Sequence, residues 1–138
     1  MSYREQFELG VAEFNRGEFF ECHDTFEELW MDSRGDRKVF LQGLIQSAVG
    51  VFHSMSGNPR GAFSQLSRGL EKLSAYRPSF EGVDVEALNR GLERLRDAVA
   101  LGLDTGDFQF DPALVPGIDY RPDPSISPDS DDSGSRGA

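Results

Sequence analysis

Residues 39–57 read VFLQGLIQSAVGVFHSMSG, nineteen residues without an Asp, Glu, Lys or Arg. How this stretch is read decides the fold. Its length approaches the roughly 20 apolar residues that a membrane-spanning helix needs. Its content does not suit that role. Gln42, Gln46, Ser47, His53, Ser54 and Ser56 interrupt it, and polar side chains at membrane depth are costly. The stretch instead fits the central helix of a water-soluble core, expected over 37–56.

The flanking segments extend the same architecture. Ser2, with Glu5 three residues on, forms a capping-box pattern, and Phe7, Val11 and Phe14 follow at helical spacing up to a stop at Gly17. A second helix is expected over 18–32, broken by Ser33-Arg34-Gly35-Asp36. After the uncharged helix, Gly57-Asn58-Pro59 places a stop, a cap and a first helical residue side by side. A fourth helix carries Ala62, Phe63, Leu66, Leu70 and Leu73. Pro78 and Gly82 mark a longer loop, and Asp84 caps a fifth helix with Leu88, Leu92, Leu95 and Val99 in line, ending near Leu103. Short connections between the first four helices imply antiparallel neighbours. The expected fold is all-α: a compact bundle of about five helices over residues 1–104, built from antiparallel αα-hairpins.

The character changes after Thr105. Residues 105–124 form an extended segment expected to pack partly on the bundle through Phe108, Phe110, Leu114, Val115, Ile118 and Tyr120. Residues 125–138 are mostly Ser, Asp, Gly and Pro, a composition that cannot bury enough surface to offset the entropy of ordering. They read as a disordered acidic tail.

Hydrophobic residues make up 38% of the 138, including eleven Phe, which is enough for one domain core. The formal net charge is -10, and no basic face or Arg-rich run appears. Nucleic-acid phosphates and anionic membrane surfaces are therefore not expected partners. Arg4, Glu5 and Glu8 leave no apolar run for a signal peptide, and the single cysteine, Cys22, cannot form an internal disulfide. Both observations fit a cytoplasmic location.

At about 100° per residue, Phe19, Phe20, Cys22, Phe26, Leu29 and Trp30 share one side of the second helix, and Glu21, Asp24, Thr25 and Glu28 share the other. His23 and Glu27 break the rule by landing inside the apolar arc, one turn apart. A buried carboxylate must be paired, protonated or metal-bound. On the third helix Gln42, Gln46 and His53 lie within about 40° of one another. The simplest arrangement sets them against His23 and Glu27 as a buried polar cluster, with Trp30 as core or wall. Asn58 is read as a helix cap. Gly43, Ser47, Gly50 and Ser54 form a ridge of small residues that lets another helix approach closely.

The run Gly17-Glu18-Phe19-Phe20-Glu21-Cys22-His23-Asp24, then Glu27, Trp30, Gly43-Leu44-Ile45-Gln46, Ala48, His53, Gly57-Asn58 and Gly61-Ala62, resembles the DUF309 family. The resemblance covers about residues 5–76 and does not reach the tail. It implies a helical bundle. It implies no reaction, because the family is of uncharacterised function.

Two classes of function compete. The first is a binding or interaction module for an unidentified protein or small-molecule ligand, self-association included, with His23 and Glu27 as a hydrogen-bonded packing lock. Removing one partner of such a lock would cost about 3–5 kcal/mol. The alternative is a metal-dependent enzyme, for example a hydrolase, with a divalent metal on His23, Glu27 and His53 and with Gln46 orienting a ligand. The chain has only two histidines and lacks the paired Glu-x-x-His motifs of di-iron bundles. Cys22 reads as a core residue rather than a nucleophile, since His23 points about 100° away from it.

Overall fold

A computed structural model describes residues 1–122. Five helices follow one another: α1 (Tyr3–Asn15), α2 (Phe19–Asp32), α3 (Gly35–Met55), α4 (Pro59–Ser74) and α5 (Val85–Thr105). The all-α expectation holds, and the helix ends lie where the caps put them. Ser2 and Glu5 make both bonds of the capping box. Asn58 accepts from the Gly61 N–H and Asp84 from the Ala87 N–H. Gly106 ends α5 in the left-handed conformation at φ 73°. The third helix begins two residues earlier than expected, because Gly35 (φ 60°) turns the chain directly into it.

Side chains fix the order of packing. Gln6 reaches Glu28, Gly10 abuts the Phe26 ring and Glu13 bonds Thr25, so α1 and α2 run antiparallel. Phe20 meets Phe52 while Lys38 meets Trp30, so α2 and α3 do the same. The small-residue ridge of α3 receives α4: a Cβ on Gly43 would lie 2.9 Å from Leu73 Cδ2, and one on Gly50 would lie 2.7 Å from Leu66 Cγ. Ser47 and Ser54 turn their hydroxyls back onto the carbonyls of Gly43 and Gly50, at 2.8 and 3.1 Å, so these buried donors are satisfied inside the helix. Phe14, Phe26, Phe40, Leu44, Leu66, Leu88, Leu92 and Leu95 fill the core. Among the described residues no helix is long and apolar enough to cross a membrane.

The expected loop around Pro78 and Gly82 is a small hairpin, β1 (Ser79–Phe80) against β2 (Val83–Asp84). Its two turn residues, Glu81 and Gly82, both have positive φ, at 45° and 87°. Glutamate is a poor residue for that conformation. A remote residue holds it there: Arg37, on the first turns of α3, grips the Glu81 carboxylate with Nε to Oε1 at 3.0 Å and Nη2 to Oε2 at 3.1 Å. The C-terminal segment returns to this hairpin. Tyr120 bridges Val83, the Arg121 N–H donates to the Gly82 carbonyl at 2.7 Å, and Ile118 is buried with both backbone groups bonded to the Asn15 amide. The expected tail, 125–138, lies outside the described residues.

Candidate functional site

Helix α2 buries Phe19, Cys22, Phe26 and Leu29. These four define a narrower stripe than the pattern suggests. Phe20, about 100° from Phe19 around the axis, is 63% exposed and lies outside it. Only with Phe20 in the core is the apolar arc wide enough to take in His23 and Glu27. The structure corrects this: His23 is half-buried at the margin of the stripe and Glu27 is exposed. The pair is not a buried lock. Thr25 is displaced in the opposite sense. Helix α1 covers it, and its hydroxyl donates to Glu13 Oε1 at 2.6 Å, with Glu13 itself buried. Periodicity gave no sign of that bond, since it depends on where α1 sits.

The proposed five-residue convergence does not form. Among the described residues no hydrogen bond joins His23 or Glu27 to Gln42, Gln46 or His53. Gln46 Oε1 instead accepts from Lys72 Nζ of α4 at 3.0 Å. His53 pairs with Asn58 across the α3–α4 turn, Nδ2 to Nδ1, at 3.4 Å. Because the Asn58 oxygen caps Gly61, its amide nitrogen is left to face the imidazole. A Cβ on Gly61 would sit 2.6 Å from that amide nitrogen and 3.0 Å from His53 Cδ2. Much of the Gly-Asn-x-x-Gly-Ala pattern is thereby accounted for by a helix joint. Gln42 is half-buried, and Trp30 is half-buried beneath Lys38, whose Nζ lies 4.3 Å from the ring centroid.

What does converge is His23, Asp24 and Glu27. Each offers one ligand atom, and the three lie within 4.8 Å of one another; His23 Nδ1 is 3.2 Å from Asp24 Oδ1. Helical periodicity puts Asp24 on the solvated face, yet from there a residue next to the histidine in sequence still reaches its ring. His53 is not part of this group, so the ligand set His23, Glu27 and His53 is replaced by one from a single helix. Burial pushes the Cys22 thiol far up, so it stays protonated and the core reading of this residue stands.

A second feature lies at the end of the bundle where α2 starts and α3 stops. Phe20, Phe52 (40% exposed) and Met55 (46% exposed) are open to solvent, with the two rings 6.4 Å apart between centroids. Met55 also lines a cleft of about 400 Å³. Phe14, Phe19, Phe110, Val115 and Pro116 form most of its wall, with Asn15 and Arg16 at its polar side.

Residues 7–64 match the sequence model of DUF309, a domain of unknown function. An uncharacterised protein of Aquifex aeolicus is 23% identical over 90 residues, which is 64% of this chain and 27% of that protein. The uncharacterised protein YpuF of Bacillus subtilis is 31% identical over 70 residues, 50% of this chain and 40% of that protein. The chain thus aligns with well under half the length of these relatives.

Proposed function

We propose that this chain, whose residues 7–64 form a DUF309 domain, is a helical binding module whose contact region is the open end of the bundle around Phe20, Phe52 and Met55. The observation that carries the reading is apolar exposure. Single exposed hydrophobics are ordinary on soluble proteins, but contiguous ones beside a cleft mark binding surfaces. Here the Phe20 and Phe52 rings pair, Met55 lies one turn on from Phe52 along α3, and Met55 also lines the cleft. The partner is a protein or an apolar small molecule in the cytoplasm. The net charge of -10 disfavours nucleic acid and anionic membranes. A neutral solvatochromic dye such as Nile red tests the reading. It should brighten on the intact, cooperatively folded chain, and the brightening should disappear in Phe20→Ser with Met55→Ser. Dye binding that survives both substitutions would sink the assignment.

A second reading rests on the His23, Asp24 and Glu27 convergence. A histidine and a carboxylate at i and i+4 can chelate one divalent cation, with Asp24 as a third donor and positions left for water. Bound there, such a cation would supply Lewis-acid chemistry at an exposed helix face. Calorimetric titration of the untagged chain with zinc or manganese should then show one site that His23→Ala removes. A flat titration removes this reading and leaves the first intact.

A further inference from the structure

Helix α2 carries Glu21, Asp24, Glu27, Glu28 and Asp32 and no Lys or Arg. Phe20 sits among them, with Glu21 beside it and Asp24 one turn on. Of the cations near this end of the bundle, Arg16 is already paired with Glu18 at 3.1 Å. Arg60 stands on α4, beyond the Asn58 turn. Lys38 lies at the far end of α2, over Trp30. The patch of Phe20, Phe52 and Met55 is therefore apolar in the middle and acidic along the α2 edge.

Resting on the binding-module reading, we propose that the occupant of this patch is a basic amphipathic helix of a partner protein. The charge pattern selects it. An apolar stripe on such a helix would cover the two rings and the flexible methionine, a residue type suited to adapting its shape to a partner. Its Lys and Arg residues would meet Glu21, Asp24 and Glu27. A second copy presenting its own α2 is disfavoured, because that would bring two acidic helices edge to edge. An acidic vesicle surface is disfavoured for the same reason.

The test uses the full chain and two synthetic peptides of about five helical turns. Both carry a Leu and Phe stripe; one has Lys and Arg on its flanks and the other has Glu at the same positions. Fluorescence anisotropy should show the basic peptide binding at least about ten-fold tighter than the acidic one, with the difference shrinking at high salt. Phe20→Ser with Phe52→Ser should weaken the basic peptide by about ten-fold or more without lowering the melting temperature. Glu21→Lys with Asp24→Lys should shift the preference toward the acidic peptide. Equal binding of both peptides overturns the charge argument and leaves the binding module standing, as does Nile red binding with no peptide binding. Basic-peptide binding that ignores the phenylalanine substitutions overturns the proposal too, since it is then attraction to net charge alone. A dimer in sedimentation that dissociates on Phe20→Ser would assign the patch to a second copy and overturn it as well.

Discussion

On its α4 side, α3 presents Gly43, Ser47 and Gly50, and α4 answers with Leu66, Gly69 and Leu73. The backbones come so close that a Cβ on Gly69 would lie 2.5 Å from Ser47 Oγ and 2.9 Å from the Gly43 carbonyl oxygen. By helical position, the α2 side presents Leu41, Ile45 and Ala48. There the contact is made by side chains, and at the end of the bundle it runs out, leaving Phe20 and Phe52 half in water. One neighbour is seated by having no side chain in the way. The other is seated by side chains whose outermost members remain open for contact. A seam of the first kind tolerates no change, whereas the margin of the second can vary with little effect on folding. The binding surface proposed above lies on the α2 side.

Four substitutions would break or sharpen the contrast. The largest effect is expected for Gly69→Leu, which must push apart two backbones rather than move a flexible side chain. The loss should be about 3 kcal/mol or more in denaturant unfolding. A loss below about 1 kcal/mol would mean that the seam is not tight. Next is the buried edge of α2, read through pH. The Cys22 thiol, ordinarily titrating at 9.0, is held up by burial. As pH rises past that value the unfolded chain loses the proton and the folded chain keeps it. Stability should then fall, by about 1.4 kcal/mol per pH unit. Under reducing conditions Cys22→Ala should remove this slope and delay the alkaline loss. The onset would move to Tyr3, whose ordinary value of 10.0 is likewise raised by burial. An unchanged slope between about pH 9 and 10 would assign the loss to another group. The smallest effects belong to the outer edge of α2: Phe20→Ser and Glu27→Ala should each shift stability by no more than about 0.5 kcal/mol. For Glu27 this contrasts with the cost of about 3–5 kcal/mol that a buried lock would carry. A loss of that size would restore the lock.

Legibility differed sharply between fold and site. The capping box at Ser2 and Glu5, the Asn58-Pro59 start and the Asp84 cap are local hydrogen-bonding problems, solved within four residues of chain, and they placed the helix ends almost without error. The hairpin at Glu81 was invisible because its unfavourable turn residue is held by Arg37, 44 positions away. The candidate site was read at half strength. His23 and Glu27 do come together, but with Asp24 rather than with Gln46 and His53. Periodicity reads Phe20 as core, and it is instead the most exposed ring of the patch.

The sequence by itself determined five helices, the capped starts of α1, α4 and α5, the glycine and serine seam and the absence of charge over residues 39–57. Each of these follows from local chemistry or from a period along one axis. The tertiary structure alone decided which margin of α2 is covered, that Thr25 turns inward to Glu13 while Phe20 turns outward, and that His53 and Gln46 answer to α4. A helical period gives the direction of a side chain from its own axis. How deep that direction lies is set by where neighbouring helices come to rest, and that depends on contacts many residues apart.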